Sequence, residues 1–144
     1  MTLKELWAVR DGNEFKENIG VIRCPFQGCN ARVILLSNTL ISQQFTVDNG
    51  PEMVILSRDD DSNCFFKLED MWDFDNIGVT RSSEDLPEPL IQRNDEILDF
   101  KVDRLLVCSE CDKGPIGFAG YQNGERDVKN LKAFLSCKSV LYDV

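Results

Sequence analysis

Four cysteines arranged as two spaced pairs, Cys24-x₄-Cys29 and Cys108-x₂-Cys111, sit in a chain of 144 residues that contains no histidine. The first pair brackets Pro25-Phe26-Gln27-Gly28. The second brackets Ser109-Glu110 and is followed by Asp112-Lys113-Gly114-Pro115. Each pair ends a strand-like run and enters a turn. A C-x₂-C unit also serves as a redox motif, but such a motif belongs at the start of a helix in a βαβ frame. Gly114-Pro115 follows almost at once and suits a turn instead. Two turns brought together place four thiolates around one ion. This is the tetrahedral Cys₄ arrangement of a closed, structural Zn²⁺ site. Glycines let the backbone curl so that amide N–H groups face the sulfurs. Arg23, Arg32 and Lys113 lie close enough in sequence to offset the charge of such a site. Six cysteines also permit three disulfides, a pattern of short secreted chains. Cys64 and Cys137 lie in apolar runs and read as buried free thiols.

The missing histidine narrows the chemistry. A Ser-His-Asp triad, a Cys-His pair and a His-ligated metal are all excluded. Net charge is −9 and no Lys/Arg cluster interrupts it. Nucleic-acid binding needs a positive footprint that neutralises phosphates, so DNA and RNA are not expected partners. The acidity suits a basic or amphipathic protein partner, or simply solubility. No apolar run approaches the ~18 residues of a membrane span. The first twenty residues are broken by charge and lack a signal-peptide core, so the expected compartment is the cytoplasm. A chain of this length buries roughly 68–70% of its unfolded surface. One domain spanning 1–144 is expected, as a monomer.

The pattern along the chain is β-rich. Residues 19–24, 31–37, 52–58, 64–70 and 99–108 read as strands. Asn123-Gly124 predicts a type I′ turn, and 133–144 a last strand. Residues 58–63 and 81–95 read as loops, the second because it is polar and holds two prolines. Helix is scarce, with a short one expected at 2–10.

A second unusual stretch is Glu69-Asp70-Met71-Trp72-Asp73-Phe74-Asp75-Asn76-Ile77-Gly78-Val79-Thr80-Arg81. Strand alternation would send Trp72 and Phe74 to one face and Asp73 and Asp75 to the other. Asn76 and Gly78 would then mark a turn. By its residues alone the stretch reads first as a core-facing strand edge with a solvated acidic side, and second as an exposed aromatic anchor ringed by acids.

Three strings, CPFQGCNARVI, MWDFDNIGVTR and LLVCSECDKGPIGF, together resemble the small zinc-binding Rab-GTPase regulators of the mammalian-suppressor-of-Sec-four (Mss-four/Dss-four) type. These are guanine-nucleotide-releasing factors, or chaperones of nucleotide-free Rab proteins. The matching blocks cover about a quarter of the chain. The C-x₄-C first pair is similar to fungal members, where animal members have C-x₂-C. The resemblance implies a mainly β fold of curled antiparallel sheets around one structural zinc held by Cys24, Cys29, Cys108 and Cys111. It also implies a Rab-binding surface near that site, along Asp70, Met71, Trp72, Asp73, Phe74, Asp75 and Asn76. An acidic residue inside the second cysteine turn, usually Asp in the family, matters for nucleotide release. Here that position is Glu110. The activity implied is binding without covalent catalysis, in vesicle-mediated transport and exocytosis. Two other readings stay open: a Rab holdase without true exchange, and a methionine sulfoxide reductase-like enzyme on a related fold. The enzyme would need a reactive thiolate, for which Cys64 and Cys137 are the spare candidates.

Overall fold

The computed structural model describes residues 18–56 and 63–144. Strands dominate them. β1 (Asn18–Arg23) and β2 (Arg32–Ser37) form a hairpin, and a short helix, α1 (Asn38–Ser42), follows at once. Ser37 caps that helix by accepting a hydrogen bond from the Leu40 amide at 3.1 Å. Then come β3 (Gln44–Asp48), β4 (Cys64–Leu68), β5 (Ile77–Val79), β6 (Leu90–Arg93), β7 (Glu96–Leu98), β8 (Phe100–Cys108), β9 (Gly117–Gln122), β10 (Lys132–Ser136) and β11 (Leu141–Asp143). Two sheets result. A three-stranded one has the order β11-β1-β2, and an eight-stranded one the order β5-β8-β9-β10-β4-β3-β6-β7. Every pairing is antiparallel.

The large sheet is curled. β7 is last in its order and β8 second, yet only Asp99 separates them in the chain. One residue spans at most ~3.6 Å, while strands six places apart in a flat sheet would lie roughly 28 Å from each other. The sheet must therefore wrap round on itself.

Its central strands bury both faces. Phe65 and Phe66 are consecutive and belong to different cores, as do Phe118 and Ala119, and Phe134 and Leu135. This is the two-residue pleat at work. Inside the curl, Phe134 stacks on Phe118 with ring centroids 5.3 Å apart, and Phe100 meets Phe134 edge-on at 5.0 Å. On the outer face, Phe66, Leu106 and Leu135 pack with Ile22, Leu36 and Tyr142 of the small sheet.

Several expectations from the sequence need correction. Residues 52–56 are irregular and not a strand. They are held by isolated bonds, from the Val54 amide to the Pro115 carbonyl and from the Ser139 hydroxyl to the Val54 carbonyl. Residues 81–95 are not one loop, because Leu90 onward forms the β6–β7 hairpin across Asn94-Asp95, with Asn94 at φ 55°. An Asn in the left-handed region does the work expected of Gly. The C-terminal run divides into β10 and β11, which join different sheets. Gly78 lies inside β5 rather than in a turn. β3, with its alternating burial, was not foreseen as a strand. The Asn123-Gly124 turn is present, with φ of 58° and 75° and a Glu125 amide to Gln122 carbonyl bond of 3.2 Å. It opens a longer connection through residue 131 instead of a two-residue hairpin. The helix expected at 2–10 and residues 57–62, which include nearly all of the expected acidic loop, lie outside the described residues.

Two glycines separate steric need from backbone need. A methyl group on Gly120 would overlap the Lys101 carbonyl, whereas Gly124 has open space but a φ of +75°. Gly120→Ala is expected to cost about 3 kcal/mol or more in urea denaturation, and Gly124→Ala about 1 kcal/mol. Equal midpoints for the two variants would contradict the close β8–β9 approach described here.

Candidate metal centre and the acidic aromatic turn

Both cysteine turns close in the same way. The Cys24 amide donates to the Ala31 carbonyl at 2.8 Å, and the Cys108 amide to the Lys113 carbonyl at 3.1 Å. In each case the acceptor lies two residues beyond the second cysteine. The two extra residues of the first turn are absorbed locally, where the amides of Cys29 and Asn30 both reach the Phe26 carbonyl. Gly28 (φ 88°), Asn30 (φ 50°) and Asp112 (φ 59°) take the left-handed conformations these curls require.

The turns meet. Cys24 Sγ lies 3.7 Å from Cys111 Sγ, and Cys29 Sγ lies 3.7 Å from Cys108 Sγ. All four sulfurs fall within 4.8 Å of one another, a set that can hold a metal ion. Cys24 and Cys108 are fully buried, and burial pushes their thiols above the ordinary value. The Phe26 amide opposes this at Cys24, and the Cys111 and Glu110 amides oppose it at Cys108. Cys29 is pulled down, chiefly by the Ala31 amide. Four thiols crowded this closely gain from ionising only if a cation replaces their protons. Two of the three basic residues expected to offset the charge, Arg23 and Arg32, are paired with carboxylates. Arg23 Nε bonds Asp143 at 2.8 Å, Arg32 Nε bonds Asp75 at 2.7 Å, and Lys113 Nζ sits 5.7 Å from the centroid of the Phe26 ring.

The stretch around Trp72 bridges the two cysteine turns. Met71–Asp73 form one turn of 3₁₀ helix, capped by Asp70, whose carboxylate accepts from the Trp72 amide at 2.9 Å. This breaks the strand alternation expected there. Trp72 is 92% exposed and Phe74 only 9%, so they do not share a face. Phe74 packs in the same core as Cys24 and Cys108, with Met71 half-buried against it. The Asp75 amide then bonds the Val33 carbonyl at 2.8 Å, and the Asn76 side chain donates to the Arg32 carbonyl at 2.8 Å. Both acceptors lie just past the first cysteine turn. Ile77 pairs with Cys108, the first ligand of the second turn. The segment is thus tied to the exit of one cysteine turn and the entrance of the other. Asp70, Asp73, Asp75 and Glu110 are all exposed.

Sequence reasoning missed the neighbourhood of this turn. Glu69 binds Lys67 at 2.9 Å and Lys132 at 2.8 Å. Burial raises its carboxyl, but hydrogen bonds from Lys132 and then Lys67 outweigh this and hold it below the usual range. An open groove of about 490 Å³, lined by Ile34, Leu35, Leu40, Leu68, Glu69 and Asp73, runs beside it. The signal available was the acid–Lys spacing across β4 and β10, which becomes a contact only after the strands pair.

Residues 21–142 match the sequence profile described as Mss4 protein. The chain is also 29% identical over 141 residues to Protein DSS4 of Saccharomyces cerevisiae, an alignment covering 81% of this chain and 92% of that one. No solved structure matches it significantly. Among the described residues, no helix is long and apolar enough to cross a membrane.

Stripping the metal with a chelator, or replacing Cys108 by Ser, is expected to lower the thermal midpoint sharply, because ion binding and folding are coupled on the order of 10 kcal/mol. Protons compete with the metal for these sulfurs, and burial favours the protonated form at Cys24 and Cys108, so metal affinity should fall as the pH is lowered. A melting curve unchanged by complete metal removal would contradict the site.

Proposed function

The chain belongs to the Mss4 protein family, and on that footing we propose that it binds a Rab-type small GTPase, stimulates GDP release and stabilises the nucleotide-free form, serving vesicular transport at the cytoplasmic side. The ion we assign to Cys24, Cys29, Cys108 and Cys111 is a single structural zinc. A tetrahedron with ~2.3 Å Zn–S arms has edges of about 3.8 Å, and two of the edges here measure 3.7 Å. An all-thiolate set suits Zn²⁺ and leaves no open position for substrate. The zinc holds two turns together, and elemental analysis of the purified protein reads its identity and stoichiometry.

The observation that carries the proposal is Trp72, an indole left almost wholly in solvent on a turn that is ordered at both ends. Burying a tryptophan on a partner supplies large contact area at little entropic cost when its backbone is already fixed. Asp70, Asp73, Asp75 and Asn76 flank it in the chain with acidic and polar groups, Glu110 adds an exposed carboxylate on the second cysteine turn, and Met71 and Phe74 lie on the core side. A GTPase holds GDP through its phosphate loop, a lysine and Mg²⁺. Acidic groups presented to those basic holdings compete with the phosphates and disfavour bound nucleotide. Release follows from reciprocity, because a protein that prefers the empty GTPase must weaken GDP binding by the same factor. No covalent step is needed.

Release of fluorescent GDP from a panel of secretory Rabs tests this. Trp72→Ala should fold and hold zinc as the parent does, since the side chain touches little. It should slow stimulated release by roughly 30-fold, the ~2 kcal/mol of an interface anchor. Undiminished stimulation by that variant would remove the anchor from the mechanism. Titrating the protein below one equivalent separates catalysed exchange, which continues to completion, from stoichiometric holding of the empty GTPase.

A further inference from the structure

Outside the cysteine tetrad a second pair of thiols has come together. Cys64 opens β4 and Cys137 follows the last residue of β10. Their sulfurs lie 2.9 Å apart, closer than the 3.7 Å pairs of the metal centre. The backbone already has the right frame. Ser136 pairs with Phe65, and the next amide, that of Cys137, donates to the Cys64 carbonyl at 3.1 Å. Residues directly opposite in a hydrogen-bonded antiparallel pair have Cα atoms about 5.5 Å apart, inside the ~4.4–6.8 Å range that a disulfide spans. Cys137 is further fixed by its carbonyl, which accepts from the Tyr142 hydroxyl at 2.5 Å. Cys64 Sγ also lies 3.1 Å from Gln44 Oε1, an acceptor for its thiol proton. The two cysteines differ in access. Cys137 is completely buried, and Cys64 is half-buried next to exposed Asn63.

We propose that Cys64 and Cys137 form a redox modification site, separate from the metal centre, that closes to a disulfide on exposure to a low-molecular-weight disulfide oxidant. Cys64, the less buried of the two residues, attacks first as thiolate. It forms a mixed disulfide, and one thiol of the oxidant leaves. Cys137 then attacks the Cys64 sulfur and expels the second thiol, which takes up the Cys137 proton. Two cysteine sulfurs are oxidised by one electron each, and the oxidant gains two electrons and two protons as two thiols. An ion bound by the other four sulfurs would lower their nucleophilicity, so they should react more slowly than Cys64. The closed bond links positions 73 residues apart. It fastens the large sheet at the point where the chain leaves β10 for β11 of the small sheet. Such a crosslink constrains the unfolded chain and should raise the thermal midpoint.

The test uses the full-length, metal-loaded protein and oxidised glutathione as probe, read by intact mass, peptide mapping, metal content and melting. Expected are a mass lower by two hydrogen atoms, a crosslinked peptide joining Cys64 to Cys137, full metal retention, and a midpoint higher by about 5–10 °C. Cys64→Ser, which alters a half-buried position, should show neither the mass loss nor the shift. A persistent glutathione adduct on Cys64, crosslinks among the four metal-site cysteines with loss of metal, no reaction at all, or the same mass loss in Cys64→Ser would each overturn the proposal. Nucleotide release plays no part in these readouts, so failure here is distinct from failure of the GTPase reading.

Discussion

The meeting of two cysteine turns is the constraint on which the other features depend. Among the described residues, the small sheet shares no ladder hydrogen bond with the large one. Three short strands are marginal by themselves, so what fixes their position is the apolar interface around Ile22, Leu36, Phe66 and Tyr142, and the four sulfurs at one end of it. Hydrophobic contact sets that the two layers pack, but it is non-directional. An ion held by those four sulfurs would be directional, and would set the angle and register at which the layers meet.

The large sheet gives the second cysteine turn a rigid support. Its curl makes each central strand supply two cores, so neither face of β4, β9 or β10 is left to solvent through its middle. The inner aromatic cluster adds edge-to-face and stacked contacts beyond simple area burial. Gly117 and Gly120 allow β9 to lie against β10 and β8 where a side chain would strike a backbone carbonyl. β8 leaves this framework and carries Cys108 at its tip, so the second cysteine turn inherits the sheet's order.

Between the two turns lies the segment with the tryptophan. Its C-terminal end is anchored by backbone bonds to β2 and β8, its N-terminal end continues from β4, and Phe74 holds it to the core. The Arg32–Asp75 pair is half-exposed and contributes at most about 1 kcal/mol. The anchoring is therefore mainly backbone and apolar. Trp72 is exposed because the chain takes one 3₁₀ turn there, which rotates it away from Phe74 and the core. Order without burial is the condition under which an aromatic side chain is available to a partner.

Spacing alone made the cysteine turns legible, because ligand chemistry acts over a few residues and turn-forming Gly, Pro and Asn announce themselves locally. The strands β1, β2 and β8, which border those turns, were legible for the same reason: their β-branched and apolar runs end at the turns. The β6–β7 hairpin was hidden by the polar, proline-bearing stretch before it, and 52–56 looked like a strand because its residues are apolar, though no neighbour offers it a ladder. What the chain's own order determined was local: which residues curl, which are apolar, and which sulfurs are paired in sequence. Tertiary structure alone decided that the two pairs converge, that Trp72 and Phe74 part company, and that Cys64 faces Cys137. Those outcomes depend on strand pairing between residues tens of positions apart, which local propensity does not encode.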